Sequence, residues 1–206
     1  MRVNREKLLH VLESVFPGLS PKEIIEQSNC FVLKDKKVYT YNDEVACCAD
    51  SPLDRSFTGS VQATPFLSVL QKMEEDEIDI EVGDGELLVK GKRRQAGIRM
   101  EKEIVLPINS VDTPKEWLLL HEDFAEAIGI VQNCTSKDET RFYQTCVHIH
   151  PKWVEASSDF QICRWRLKTG ISQPTLVRQT SIKHVTSLGM TEFGETDNWL
   201  HFRNGH

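Results

Sequence analysis

Two stretches of the sequence, CFVLKDKKVYTYNDEVACCAD (30–50) and CVHIHPKWVEASSDFQICRWR (146–166), decide the fold. The second follows the first at an offset of 116 residues, and four positions are identical: Cys30 and Cys146, Val38 and Val154, Asp43 and Asp159, Cys47 and Cys163. In each stretch, apolar and β-branched residues on both sides of a polar turn predict a pair of strands. One strand-turn-strand unit therefore occurs twice in the chain.

The same offset continues on both sides of these stretches. Four further pairs are identical: Val15 and Val131, Val61 and Val177, Thr64 and Thr180, Val69 and Val185. Self-similarity at a fixed spacing indicates two copies of one unit, and a spacing longer than that of solenoid repeats favours two domains, each with its own core. We predict a first domain at 1–115 and a second at 116–206, with IVLPINSVDTP (104–114) as the connection.

Each copy is predicted to contain two helices and several strands, which gives an α+β fold. In the first copy we expect helices over 8–16 and 64–73, with Thr64 as N-cap and Pro65 at the first helical position, and strands over 30–33, 38–46, 57–62, 78–82, 87–90 and 96–100. In the second copy we expect helices over 124–131 and 180–188, and strands over 117–120, 145–149, 153–167, 175–177 and 199–202.

The last strand of the first copy has no counterpart in the second. Residues 96–100 map to 212–216, which lie beyond residue 206. We therefore expect the second domain to lack its last strand, as a fragment or as a domain that ends early. The strand near 199–203 would then be unpaired on one side.

Composition and charge exclude several classes of protein. The 206 residues include 25 Lys and Arg against 31 Asp and Glu, a formal net charge of −6. This charge excludes a uniformly basic protein that coats nucleic acid, but it permits a local basic groove. No apolar run approaches the roughly 20 residues that span a bilayer, and Glu6 and Glu13 interrupt the N-terminal apolar stretch, so we predict neither signal peptide nor membrane contact. The six cysteines form no C-x-x-C pair, and we interpret them as reduced thiols in a cytoplasmic protein.

Residues that would support catalysis are scarce. The sequence has no phosphate-binding, dinucleotide-binding or nucleophile-elbow motif. Cys146, His148 and His150 alternate along one strand and could supply zinc ligands, but residues two apart on a straight strand stand about 7 Å apart, too far for one metal. We therefore predict no cofactor and no enzyme, and keep a metal-dependent enzyme at these three residues as a minor alternative.

Basic residues beside aromatic ones suggest contact with nucleic acid. Arg141 is followed by Phe142 and Tyr143, and a cation next to aromatic rings can neutralise a phosphate while a ring rests on a sugar or base. The predicted DNA-binding residues are Lys22, Lys72, Lys137, Arg141, Phe142, Tyr143, Arg178 and Lys183.

Four segments together resemble the DNA sliding clamps, in particular the bacterial DNA polymerase III beta clamp. MRVNREKLLHVLESV (1–15) is similar to the opening strand and helix of that family, and TRFYQTCVHI (140–149) to its Arg-aromatic-Tyr loop and following strand. ASSDFQICRWRL (156–167) resembles its Thr-Asp-Gly-His-Arg segment, with Phe160 and Gln161 in place of Gly-His and Ile162 in place of Arg. TLVRQTSIKHVTSL (175–188) resembles the last helix of a clamp domain.

This resemblance implies the sliding-clamp fold, with repeated domains of two helices packed on antiparallel sheets, and a non-catalytic processivity factor. It implies a ring that self-associates, encircles double-stranded DNA and tethers DNA polymerase and the clamp loader. By the same resemblance, partner peptides would dock in a pocket at Ser158, Phe160, Gln161, Cys163 and Ile182. A beta clamp has three domains per chain, so two imply a fragment or a two-domain, trimeric clamp.

A second interpretation has a different function on the same fold. Glu122, Asp123 and Glu126 give the third helix an acidic face where clamps carry a mildly basic one. The alternative is therefore a clamp-fold adaptor that docks proteins without encircling DNA.

Overall fold

The structure is a computed structural model that describes residues 1–204. Contacts between residues divide the chain into two compact units, one from Met1 to Val111 and one that begins at Asp112. Each unit pairs two helices with antiparallel strands, and each has a separate apolar core. The predicted α+β class is confirmed.

The first unit has two helices and eight strands. They are β1 (Arg2–Asn4), α1 (Arg5–Ser14), β2 (Cys30–Lys34), β3 (Lys37–Tyr41), β4 (Ala46–Asp50), β5 (Gly59–Gln62), α2 (Ala63–Lys72), β6 (Glu77–Val82), β7 (Glu86–Lys90) and β8 (Gln95–Glu101). The strands form one sheet in the order β1-β6-β7-β8-β5-β2-β3-β4. The apolar sides of both helices pack on it, through fully buried residues such as Leu8, Leu12, Phe66 and Leu70.

The second unit has two helices and seven strands within the described residues. They are β9 (Leu118–Leu119), α3 (Phe124–Val131), β10 (Cys146–His150), β11 (Trp153–Ser157), β12 (Ile162–Arg166), β13 (Thr175–Arg178), α4 (Gln179–Ser187), β14 (Glu192–Glu195) and β15 (Leu200–Arg203). They form two sheets, β12-β11-β10-β13 and β15-β14-β9. Phe124, Ile128 and Ile182 are fully buried in its core.

The two units repeat element by element. Strands β10, β11, β12 and β13 begin and end 116 residues after β2, β3, β4 and β5, without a gap. The offset falls to 115 at the start of β14 relative to β6, and to 114 at the start of β15 relative to β7. The second unit thus keeps the spacing of the first unit through β13. The segments that lead to β14 and to β15 are each one residue shorter than their counterparts in the first unit.

Two predicted strands are wrong, and one strand was not predicted. The predicted strand 38–46 ends at Tyr41, as β3, and a second strand, β4, begins at Ala46. Asn42 turns the chain between them, because its Oδ1 accepts the N–H groups of Glu44 and Val45 at 3.2 and 2.9 Å. The span 153–167 is likewise β11 and β12, closed by the Ser158 N–H to the Gln161 carbonyl at 2.9 Å. The polar residues 192–195 form β14, which the sequence interpretation missed.

The predicted cap of the second helix is also wrong. Gln62 is the N-cap of α2, and Thr64 and Pro65 lie within its first turn. Pro65 is tolerated there because the first four N–H groups of a helix have no intrahelical acceptor. At α1 the cap is a side chain: Asn4 Oδ1 accepts the N–H of Lys7 at 2.9 Å.

The longest helices, α1 and α2, have ten residues each, and none within residues 1–204 is long and apolar enough to cross a bilayer.

Candidate nucleic-acid and partner interface

The loop between α3 and β10 holds the aromatic residues that the sequence singled out. Asp138 organises it, because its Oδ1 accepts both the N–H and the hydroxyl of Thr140, at 3.0 and 2.7 Å. These hydrogen bonds from Thr140 hold the pKa of the Asp138 carboxyl below its usual range. The Ser136 N–H also donates to the Gln144 carbonyl at 2.7 Å. The loop is therefore internally fixed where it presents Arg141, Phe142 and Tyr143.

An ion pair joins this loop to the turn between β11 and β12. Arg141 Nη1 lies 2.5 Å from Asp159 Oδ1, and Gln144 Nε2 donates to the same oxygen at 3.2 Å. From the turn, Gln161 Nε2 donates to the Asn133 carbonyl at 2.8 Å. The predicted DNA-binding loop and the predicted peptide-docking segment thus form one continuous surface.

That surface exposes large apolar side chains. Phe142, Tyr143, Phe160 and Ile162 are 54%, 63%, 97% and 72% exposed, and we call these four residues the apolar patch. Exposed apolar residues gathered in one place mark interaction sites more often than singly scattered ones do. The first unit has Glu26, Gln27, Glu44 and Ala46 at the corresponding positions, so the patch is specific to the second unit and not a consequence of the fold.

The two arginines at this surface already have partners. Arg141 is paired with Asp159, and Arg178 is paired with Glu139 while its guanidinium lies 5.4 Å from the centre of the Phe142 ring. An incoming phosphate would have to compete with these carboxylates. The sequence did not identify Asp159 and Glu139 as the partners of these arginines. The one indication in the sequence was that Asp159 is identical to Asp43 across the repeat.

The remaining predicted DNA-binding residues are four exposed lysines. Lys137 is exposed on the same loop, and Lys183 is exposed on α4. Lys22 and Lys72 belong to the first unit, where both are exposed and Lys72 ends α2.

The predicted peptide pocket is only partly accessible. Phe160 and Gln161 are exposed, Ser158 is half-buried in the turn, and Cys163 is half-buried against the second core. Ile182 is fully buried in that core, so it supports the surface from behind and cannot contact a docked peptide. The position proposed for Ile182 in the pocket therefore needs correction.

The exposed faces of the four helices carry a balanced set of charges. Their exposed charged residues are Glu6, Lys7 and Glu13 on α1, Lys72 on α2, Glu126 on α3 and Lys183 on α4. Three of these side chains are acidic and three are basic. Duplex DNA in contact with these faces would meet weak, local attraction and no strongly positive field.

The residues of the metal alternative have other partners. His148 Nδ1 lies 2.8 Å from Glu155 Oε1, and His150 stacks on Trp153 with ring centres 3.5 Å apart. Burial raises the pKa of Glu155, but hydrogen bonds from His148 and Arg164 outweigh it, so the net pKa is lowered. Within residues 1–204, no group of three or more His, Cys, Asp or Glu side chains is placed to hold a metal ion.

A polar cavity of about 530 Å³ lies in the first unit. Acidic and polar residues line it, among them Glu23, Glu26, Cys30, Arg99 and Glu101. Burial, with Glu23 and Glu101 nearby, raises the pKa of the Cys30 thiol to about 11. This thiol stays protonated at neutral pH and is a poor nucleophile there. All six cysteines are free thiols.

Comparison with solved structures identifies the fold. The sliding clamp of Bartonella birtlesii, a DNA polymerase III subunit beta, aligns with 100% of this chain at a TM-score of 0.83 and 12% identity. The Bacillus subtilis sliding clamp aligns with 98% at a TM-score of 0.81 and 12% identity, and the Helicobacter pylori beta clamp bound to a DNA ligase peptide with 100% at 0.76 and 11%. No family model and no curated protein matches the chain.

The alignment covers 62%, 61% and 63% of those three clamp chains, respectively. This chain thus spans less than two thirds of their length. At these identities the likeness establishes the fold alone, and that fold is the sliding-clamp fold.

Proposed function

We propose that this chain is a DNA sliding clamp, a processivity factor that encircles duplex DNA and tethers DNA polymerase and the clamp loader. The observation that carries the proposal is the repeated unit of two helices on antiparallel strands, in a chain with the sliding-clamp fold. In this proposal 1–115 and 116–206 are clamp domains, and copies of the chain associate into a ring in the cytoplasm. In this role the protein is a non-catalytic accessory subunit of a DNA polymerase.

The charge on the helices suits such a role. A sliding ring needs topological linkage and only weak contacts to phosphate, because tight contacts would stop it from moving. The balanced charges on α1 to α4 support weak contact, with Lys72 and Lys183 as exposed cations on helices and Lys22 and Lys137 as exposed cations on loops. In this role the exposed side chains of the β11–β12 turn, Phe160 and Gln161, would dock the polymerase and loader, while Arg141, Phe142 and Tyr143 would contact the duplex.

Topological linkage of a ring to circular DNA can be tested directly. Protein retained on a nicked circular duplex after a wash at high salt should be released when a restriction enzyme linearises the plasmid, because a ring slides off free ends. A linear duplex with both ends blocked by biotin–streptavidin serves as control and should retain the protein. Equal retention on circular and open linear DNA would exclude an encircling ring.

A second candidate function is the clamp-fold adaptor, and one observation favours it. The apolar patch lies beside two arginines that already have carboxylate partners, which suits a protein ligand better than a phosphate. In this role the chain would dock proteins through Phe160 and its neighbours without encircling DNA.

Duplex binding across a salt series separates the two functions. For a clamp, the affinity for a fluorescent duplex should fall as the salt concentration rises. At any one salt concentration, the double variant R141A/Y143A should bind the duplex more weakly than the unmodified chain. The substitutions are at the surface and should change the free energy of unfolding by less than about 0.5 kcal/mol. R55A, at an exposed position in the first unit, is the control and should bind like the unmodified chain. A flat salt response, with no effect of R141A/Y143A, would favour the adaptor.

A further inference from the structure

Two cysteine thiols of the second unit lie side by side. Cys134 ends the short 3₁₀ turn Gln132–Cys134 that follows α3, and Cys163 lies on β12. Both side chains are half-buried and pack against the second core. The Cys134 thiol is hydrogen-bonded to the Cys163 thiol, and both cysteines are reduced. A pair of thiols thus connects the end of α3 with a strand that follows much later in the chain.

The first unit shows why these two positions meet. At the repeat offset of 116 residues, Gly18 corresponds to Cys134 and Cys47 corresponds to Cys163. The first unit has a 3₁₀ turn, Phe16–Gly18, at the matching place, and its last residue is hydrogen-bonded through the backbone to the Cys47 thiol. The residue that ends this turn therefore lies beside the cysteine of the neighbouring strand in both units.

A second difference between the units makes room for the Cys134 side chain. A Cβ at Gly18 would lie 2.3 Å from Thr40 Oγ1, so the first unit has no space for a side chain there. The residue that corresponds to Thr40 is Ala156, which lies directly opposite Cys163 in the register of β11 and β12. Because alanine has no γ atom, Cys134 can occupy the space that the Thr40 hydroxyl takes up in the first unit. Only the second unit combines this space with two thiols that border it.

We propose that Cys134 and Cys163 form a peroxide-sensitive modification site, at which oxidation by hydrogen peroxide produces a disulfide that holds β12 against the end of α3. In the first step the Cys163 sulfur attacks one peroxide oxygen and the O–O bond breaks. Cys163 becomes a sulfenic acid, and its proton leaves with the released hydroxide as water. In the second step the Cys134 sulfur attacks the Cys163 sulfur, the S–O bond breaks, and a second water leaves with the proton of Cys134. Two thiols are thereby oxidised to one disulfide, and one peroxide is reduced to two waters.

The surroundings of the two thiols assign their order of reaction. Burial and the neighbouring Cys163 thiol raise the pKa of the Cys134 thiol, so Cys134 stays protonated at neutral pH and suits the second step. Within residues 1–204, β12 is an edge strand of its sheet, which gives peroxide a route to Cys163.

The disulfide would lie next to an exposed surface. Phe160 and Ile162 of the apolar patch are close to Cys163 in the chain, and Gln161 Nε2 donates to the carbonyl of Asn133, the residue before Cys134, at 2.8 Å. Oxidation would therefore add a covalent bond between segments that this hydrogen bond already joins. The apolar patch would be held more rigidly in the oxidised protein than in the reduced one.

The test uses the reduced 206-residue chain and hydrogen peroxide. Peptide mapping by mass spectrometry should find one disulfide-linked pair that contains Cys134 and Cys163, with the loss of two hydrogens from the intact mass, and dithiothreitol should reverse it. Hydrogen exchange in β12 should be slower in the oxidised protein than in the reduced one, because the disulfide restrains the strand.

Two variants locate the site. C134S keeps the size of the side chain but lacks the second thiol, so it should lose the disulfide and leave a sulfenic acid at Cys163 that dimedone traps. C48A removes the exposed cysteine of β4 in the first unit, and it is the matched control that should form the Cys134–Cys163 disulfide normally. Circular dichroism checks that both variants are folded.

Several results would overturn the proposal. They are the absence of the disulfide after peroxide treatment, pairing of Cys134 or Cys163 with another cysteine instead, a C134S protein without a dimedone adduct at Cys163, and unchanged hydrogen exchange in oxidised β12. The proposal does not depend on DNA binding or on the docking of polymerase.

Discussion

At the scale of single residues, two glycines have opposite surroundings. Gly18 is buried, and a Cβ there would lie 2.3 Å from Thr40 Oγ1 and 3.0 Å from the Thr40 backbone carbon. That hydroxyl is itself fixed, because it donates to the Val15 carbonyl at 2.6 Å. Gly129, inside α3, has open space around the same position. The first glycine permits close packing, while the second only weakens a helix.

Alanine at these two positions should therefore change stability in opposite directions. G18A should lower the free energy of unfolding by about 1–3 kcal/mol, because the added methyl has no room and the neighbouring backbone must shift. G129A should raise it by up to about 1 kcal/mol, the difference in helix propensity between alanine and glycine. Urea unfolding followed by circular dichroism measures both. A G18A protein as stable as the unmodified chain would show that the turn at Gly18 relaxes freely.

At the scale of elements, periodicity found the helices but not every strand. The helices α1 to α4 were predicted because apolar residues recur at helical spacing and become the buried faces of the two cores. The splits between β3 and β4 and between β11 and β12 were missed, since Asn42 and Ser158 turn the chain without glycine or proline. Strand β14 was missed because Glu192 and Glu195 flank only one strongly buried side chain, Phe193.

The helix faces allow a prediction about DNA. If α3 faces the duplex, as the clamp proposal requires, E126K should strengthen duplex binding. The slope of log affinity against log salt concentration should also become steeper, by the amount expected for about one added phosphate contact. Glu126 is exposed, so the fold should be unaffected. D84K, at the exposed turn between β6 and β7, makes the same charge change on a strand hairpin. Equal gains in affinity from the two variants would show that only net charge matters and that α3 has no special contact.

At the scale of the whole molecule, a net charge of −6 and balanced helix faces make this an acidic body with few strong sites for DNA. The sequence could suggest Arg141, Phe142 and Tyr143, because their types and order are visible in it. It could not reveal that Asp159 and Glu139 pair with the arginines, or that Ile182 lies inside the core. Those facts depend on contacts between segments 18 and 39 residues apart, as in Arg141–Asp159 and Arg178–Glu139.

The pairing of β1 with β6 has a consequence for synthesis on the ribosome. Arg2 lies opposite Asp79 and Val3 opposite Ile78, so the first strand of the chain has no partner until residues near 80 have emerged. At about 5–20 residues per second, the nascent N-terminus waits on the order of 4–15 s. Pairing between such distant segments also slows folding once the partner is available. During this interval α1 exposes an apolar face without its sheet, which makes the nascent first unit a substrate for chaperones that bind exposed apolar segments.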